Sequence, residues 1–303
     1  MRLVVHGQQA FGKAVLEELL QRGEDVVGVF CGPDKGSAVD PLKSFAQDRG
    51  LTVLQPKSWR DPATWEQLAA FEADVCLMAY VTLFVPAQAL TTPRLGTFQY
   101  HPSLLPMHRG PSSINWPIIQ GATKTGLTIF WPDDGLDEGP ILLQKEVPIG
   151  PDDTLGTVYF NNLFPMGVAA MMEALDLVKS GDAPRIQQDL SKGSYESWCT
   201  RDDGQIDWSK DVNDVYNLIR GTNPQPGAWT MLEGKPLDIY DSAIGTGSGE
   251  PGTIVAVGEE GFTVATGNGG AIAVKRVKPD GGPKLAAAEF ATAAGIRIGT
   301  QLG

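Results

Sequence analysis

Four short apolar runs, "RLVVHG", "DVVGVFCG", "LTVLQP" and "DVCLMAY", are separated by three stretches of helical period within the first 80 residues. The intervening stretches are "GKAVLEELLQRG", closed by Gly23, then "DPLKSFAQDRG" and "PATWEQLAAFEA". Near-continuous apolar strands alternating with amphipathic helices fit a parallel sheet whose two faces are both covered. Ligands of such sheets bind beyond the carboxyl ends of the strands. The next run, "GTFQYHP", reads as a further strand and places His101 at its carboxyl end.

The remainder of the chain changes character. "SSINWPIIQG" reads as a helix interrupted near Pro117, "KTGLTIFWP" and "ILLQKEVPI" as strands around the acidic loop "DDGLDEGP". A long helical segment begins near Thr154, a candidate cap, and its methionines read as core filler. From about residue 185 the chain is polar and irregular, which fits a linker. After Asp207 one helix, "KDVNDVYNLIRG", precedes short strands separated by Gly and Pro, the pattern of a small β-barrel. The expected organisation is therefore an α/β Rossmann-like parallel-sheet domain over residues 1–200, linker included. A small carboxyl-terminal β-barrel domain of OB-like type follows over residues 201–303.

Composition narrows the function classes. The 303 residues carry a net charge of −12, which argues against a broad nucleic-acid footprint, because such binding neutralises phosphates with Lys and Arg. A small-molecule ligand is expected instead. No run of 18 or more apolar residues is present, so no membrane span is expected. The start "MRLVVHGQQAFG" lacks a signal peptide's apolar segment, and a cytoplasmic protein is expected. Cys31, Cys76 and Cys199 are far apart and odd in number, which suggests reduced thiols serving as small buried hydrophobes and no metal site.

Two motifs imitate function without completing it. In "VVHGQQAFG", Gly7 and Gly12 fit a dinucleotide turn, but Gln9 stands where the second glycine must admit pyrophosphate. "GNGG" at 267–270 lies between short strands and reads as a hairpin turn. His108, two residues before Gly110, has no ligand-type neighbours at metal spacing and reads as a solvent-facing loop side chain.

"FQYHPSLLPMHRG" and "FWPDDGLDEG" are the segments that can carry chemistry. Pro102 restricts His101 to extended backbone, and residues two apart in a strand share a face, so Gln99 and His101 project together. Asp133, Asp134, Asp137 and Glu138 crowd the second segment. An imidazole with a carboxylate to orient it suits acid/base work, although a capped strand end and a solvated turn would show the same residues.

These segments resemble the signature of the folate-dependent formyltransferases, N-x-H-x-S-L-L-P followed by a D-x-G aspartate. His101, Ser103-Leu104-Leu105-Pro106 and Asp137-x-Gly139 match it, and Asp137 lies 36 positions after His101, the usual interval. "HPSLLPMHRG", "SINW", "IFWPDDGLDEG", "ILLQKE" and "GVFCGPDK" look most like the hydrolase domain of 10-formyltetrahydrofolate dehydrogenase. "IDW", "IRGTNPQPGAWT" and "PGTIV" look like the carboxyl-terminal barrel of the tRNA-type enzymes. The resemblance implies that a nucleophile attacks a formyl group carried on N10 of tetrahydrofolate, through a tetrahedral intermediate. It casts His101 as general acid/base and Asp137 as its orienting carboxylate. It places the pterin against main-chain groups of Leu83, Phe84 and Val85, and of Pro132, Asp133, Asp134, Gly135, Leu136 and Asp137. Gln99 stands where the transferases carry Asn; it keeps an amide donor and adds a methylene, which moves that donor by about one bond length.

The expected activity is 10-formyltetrahydrofolate-dependent formyl transfer to a small-molecule amine. The stretch "CGPDKGSAVDPLKSF", with two lysines against two aspartates, lacks the basic grip that a tRNA acceptor would need. Hydrolysis to formate, methionyl-tRNA formylation, a related hydroxymethyl transfer, and folate binding without turnover are the alternatives. Oligomeric state is not fixed by the sequence.

Overall fold

The computed structural model of the chain describes residues 1–303 apart from Lys35 and Ser37, so one of the two lysines in "CGPDKGSAVDPLKSF" lies outside the described residues. The chain forms two compact units. The first comprises Met1–Ser113, Gly126–Val147 and Asn161–Glu196, the second Ile114–Thr125, Pro148–Phe160 and Ser197–Gly303.

The first unit opens with the alternation β1 (Arg2–Gly7), α1 (Gln9–Gln21), β2 (Asp25–Phe30), α2 (Pro41–Asp48), β3 (Val53–Leu54), α3 (Pro62–Ala69), β4 (Val75–Ala79), α4 (Ala87–Leu90) and β5 (Thr97–His101). Asp40 and Asp61 cap α2 and α3 by accepting from Leu42 N and Ala63 N, each with a proline at the first helical position. After α5 (Asn115–Ile119), strands β6 (Lys124–Phe130) and β7 (Ile141–Pro148) complete a seven-stranded sheet of order β3-β2-β1-β4-β5-β6-β7. The first five strands are parallel as the sequence pattern requires, but β6 runs antiparallel to β5. The sheet is therefore mixed. An added antiparallel strand needs no right-handed crossover, so no helical period marks it in the sequence.

Chain order reverses between β1 and β4, which opens a crevice at their carboxyl ends. The glycines beside it serve packing. A Cβ on Gly7 would stand 2.3 Å from the carbonyl oxygen of Ala79, and one on Gly12 would press on Leu42 and that same carbonyl. At the start of α1, the amide of Gln9 donates to both carboxylate oxygens of Asp40, at 3.0 and 2.9 Å. A side chain of the protein thus occupies the place where a dinucleotide turn would receive phosphate.

A long helical stretch follows: α6 (Leu155–Val158), one π-helical turn over Tyr159–Leu163, and α7 (Phe164–Ser180), which ends at Gly181 in the left-handed conformation. Thr154 caps α6 reciprocally with Thr157. The methionines Met171 and Met172 of α7 are buried.

The second unit contains α8 (Val212–Gly221), β8 (Ala228–Leu232), β9 (Lys235–Ile239), β10 (Ser242–Gly245), β11 (Ile254–Gly258), β12 (Gly261–Ala265), β13 (Ala271–Val274), β14 (Arg276–Pro279), β15 (Leu285–Ala286) and α9 (Ala287–Ala293). The strands form two four-stranded antiparallel sheets, β10-β13-β12-β11 and β15-β14-β9-β8, around a core that includes Trp208, Ile219, Ile239 and Phe262. "GNGG" connects the antiparallel pair β12 and β13. Two segments from earlier in the chain belong to this unit for polar reasons. Asn115 donates from its amide to the carbonyls of Gly221 and Gln225 at 2.9 and 3.0 Å, and Tyr216 donates to Asp152 at 2.8 Å. The buried Arg220 donates to the carbonyl of Asp153 at 3.1 Å. A single division at residue 200 does not anticipate this, because it depends on pairings between residues 60 or more positions apart.

None of the three cysteines is in a disulfide; Cys31 and Cys76 are buried and Cys199 is only partly so, less than a core role required. Burial pushes their thiols to about 11, 12 and 11 respectively, so none is a thiolate near neutrality. Among the described residues no His/Cys/Asp/Glu group could hold a metal, and no helix is long and apolar enough to cross a membrane.

His6 on β1 is buried against Trp59, ring centroids 4.6 Å apart, and burial lowers its imidazole to about 3. The unfolded chain takes up that proton near pH 6.5 and the folded chain does not. Stability carried by neutral His6 is therefore complete above pH 6.5 and is lost as pH falls toward 3, at about 1.4 kcal/mol per pH unit. Urea unfolding between pH 6 and 4 should show a slope shallower by about that amount in His6→Leu than in the parent chain.

Candidate active site

Strand β5 ends at His101, which pairs in register with Thr128 of β6, and its ring lies edge-on to Phe130. His101 is 5% exposed and Asp137 9%, and their Nδ1 and Oδ2 atoms are 3.6 Å apart. Asp137 belongs to the loop after β6 and has a left-handed backbone, φ 56°. The two groups thus come from the end of β5 and from the loop that follows its antiparallel neighbour β6.

Neither is aimed by its own neighbours alone. Nε2 of His101 lies 3.0 Å from the carbonyl oxygen of His108, which can only accept, so the ring presents Nε2–H there and turns Nδ1 toward Asp137. Oδ2 of Asp137 accepts from the amide of Gly110 at 2.9 Å. The main chain of one loop, residues 106–110, therefore holds both groups. Pro102 sets the extended backbone of His101, but His108 fixes its ring.

That loop is itself held from three directions. Thr128 Oγ1 donates to the carbonyl of Ser103 at 2.7 Å and accepts from the Leu105 amide at 3.1 Å. Gln144 donates to the carbonyl of Leu105 at 2.8 Å. The segment 184–196 then crosses over it as a strap. Ser194 Oγ accepts from the His108 amide at 2.9 Å, and along the same edge the Arg109 amide donates to the Ser194 carbonyl and the Glu196 amide to the Arg109 carbonyl, both at 3.1 Å. His108, expected to face solvent, is buried, and its Nδ1 pairs with Glu196 Oε1 at 3.2 Å. The strap that buries it is 86 residues away in the chain.

The acidic loop is closed at its base. The Trp131 amide donates to the carbonyl of Pro140 at 2.9 Å, and a Cβ on Gly139 would stand 1.9 Å from the carbonyl oxygen of Trp131. Gln188 of the strap donates to the carbonyls of Asp137 and Gly139, at 3.0 and 2.7 Å, and Glu138 pairs with Arg109. Asp133 accepts from the Gly135 amide at 2.9 Å, shaping the turn. Asp134 accepts from the Ala87 amide at 3.2 Å, which ties the acidic loop to the segment after β4. The two segments expected to receive a heterocycle are thereby brought together. Leu83, Phe84 and Leu136 are 38%, 51% and 51% exposed there, while Val85 is buried and Pro132 half-buried. Gln99 is half-buried, two residues before His101 on the same strand; the polar contacts of His101 and Asp137 run to other groups.

All of these contacts lie within the first unit. Sequence reasoning missed Gln188, Ser194 and Glu196. They stand in the polar stretch that reads as a linker, and only the pairing of "PRIQQDLSKGSYE" with two distant loops gives them a role.

Comparison with known proteins identifies the family. Residues 1–175 match the formyl transferase family and residues 199–295 the formyl transferase carboxyl-terminal domain. The chain belongs to the formyl transferase family. It is 36% identical over 305 residues to cytosolic 10-formyltetrahydrofolate dehydrogenase of Xenopus laevis, which covers 96% of this chain and 34% of that protein. It is 34% identical over 309 residues to methionyl-tRNA formyltransferase of Geobacter sulfurreducens, covering 100% of this chain and 97% of that protein. The chain thus spans about a third of the length of the dehydrogenase and nearly all of the tRNA enzyme. The N-formyltransferase from Helicobacter canadensis, crystallised with folinic acid and dTDP-3-aminofucose, shares the fold with a TM-score of 0.69 at 20% identity, over 90% of this chain and 98% of that one.

Gly110 tests the frame directly. Its φ is 104°, and a Cβ there would stand 2.3 Å from the carbonyl oxygen of Glu196. Gly110→Ala should cost about 1–3 kcal/mol, read as a lower urea midpoint at unchanged m-value.

Proposed function

We propose that this chain transfers the formyl group of 10-formyltetrahydrofolate to a small-molecule amine. The observation that carries the reading is the buried His101–Asp137 pair, 3.6 Å apart, beside two loops tied together by Asp134. The donor supplies a carbon at the oxidation level of formate, held on nitrogen. The loops suit a flat heterocycle: the exposed Leu83, Phe84 and Leu136 offer apolar walls, and the main chain of both loops carries donors and acceptors for its edge.

His101 moves the proton. As an amine forms its new C–N bond and the bond to N10 breaks, one proton must leave the amine and one must reach N10. An imidazole whose Nε2–H is committed to the His108 carbonyl carries that traffic on Nδ1. Asp137 holds the ring in that orientation and offsets the charge it acquires. The Gln99 amide is the donor suited to the formyl oxygen as that oxygen gains negative charge, on a side chain one methylene longer than asparagine.

Two features favour a small acceptor over tRNA. The net charge is −12, and Lys43, in the stretch where a basic insertion would be needed, is paired with Asp34.

Tetrahydrofolate formation from 10-formyltetrahydrofolate should depend on an added amine and fall about 10²–10⁴-fold in His101→Ala. Release at full rate without amine would assign water as the acceptor. Formylation of methionyl-tRNA would replace the small amine, and tight folate binding without release would make the chain a binding protein.

A further inference from the structure

A second imidazole–carboxylate pair lies under the first. The side chains of His108 and Glu196 are 11% and 15% exposed, their Nδ1 and Oε1 atoms 3.2 Å apart. His108 also has a left-handed backbone, φ 55°, a conformation that is unfavourable for a residue with a Cβ. Something must hold it there, and contacts from the strap do so, among them the Ser194 amide on the Pro106 carbonyl at 3.2 Å and the Arg109 amide on the Ser194 carbonyl at 3.1 Å. Ser194 takes the His108 amide, Glu196 takes its side chain, and the Glu196 amide donates to the carbonyl of Arg109 at 3.1 Å. The consequence of the left-handed turn is that the His108 carbonyl points back at Nε2 of His101, at 3.0 Å. Two residues later the same turn delivers the Gly110 amide to Asp137.

We propose that Glu196 is a positioning residue for His101, acting through His108: the close contact of its carboxylate with the His108 ring keeps residue 108 in its left-handed turn, and the turn aims the ring of His101. The inference rests on the role given to His101 above. It makes a demand that packing alone does not. If the service of the pair is to hold a backbone angle, then glycine, which adopts that angle freely, should replace His108 better than alanine, although glycine removes more of the side chain.

The test uses the full chain, with formyl release giving kcat and KM and the imidazole ¹⁵N resonances giving ring placement. The chain has three histidines, His6, His101 and His108, so the His101 signal can be assigned by substitution. His108→Ala and Glu196→Gln should each lower kcat about tenfold or more with KM for the folate little changed, and should shift the His101 resonances. His108→Gly should recover most of kcat and the parent His101 resonances. Adding Glu196→Gln to His108→Gly should then have no further effect, since the pair is already gone. Equal kcat and equal resonances in the glycine and alanine variants would overturn the proposal. So would an effect of Glu196→Gln that persists undiminished in the glycine background. If the parent chain releases no formyl group, the functional reading fails by itself, and the His101 resonances still decide whether Glu196 places the ring.

Discussion

Two ionisable side chains buried side by side are stable only when the rest of their hydrogen-bonding capacity is met. In this chain the main chain of residues 106–110 meets it for both. The His108 carbonyl satisfies the far nitrogen of His101, and the Gly110 amide satisfies the near oxygen of Asp137. Main-chain groups do this with less loss of side-chain freedom than a pair of long side chains would incur. Remove the loop, and an imidazole and a carboxylate would each face an apolar sheet end without a partner.

A loop cannot carry that duty unless something fixes the loop. The sheet fixes one end through Thr128, which both donates to and accepts from the segment 103–105. The strap fixes the other end through Ser194 and Glu196, and also fixes the acidic loop through Gln188. Bridges between Ile141 and Ile186 and a cation–π contact of Arg185 on Trp131, at 3.9 Å, dock the start of the strap. The geometry of the His101–Asp137 pair is therefore shared among three segments: the loop after β5, the loop after β6 and the strap. None of them is rigid by local propensity, and each is rigid because the other two are present.

Much of this was legible in the residues. Near-continuous apolar runs mark β1 to β5 and helical-period runs mark α1 to α3, because burial on both faces leaves little latitude in residue type, whereas the four-residue α4 is too short to show a period. His101 and Asp137 stood out because a signature of fixed spacing joins them. What stayed hidden has a common cause. The burial of His108, the antiparallel run of β6, the role of Glu196 and the membership of residues 148–160 in the second unit all depend on pairings over long sequence separations. A left-handed histidine looks like any loop histidine until the residue that holds it is known. The same polar composition that reads as a linker in "QQDLSKGSYE" is what a strap needs, since it must satisfy loop carbonyls and amides at every second residue.

Burial alternates along these segments. The side chains of His108 and Glu196 are turned in around the His101–Asp137 pair, and Met107, Leu136 and Tyr195, next to His108, Asp137 and Glu196, are turned out, 40%, 51% and 53% exposed. An exchange at one of these outward residues leaves the buried contacts in place, because those run through main chain or through buried side chains. A site built this way can change its acceptor without rebuilding its chemistry, which is why the same His and Asp frame does not by itself name the molecule that receives the carbon.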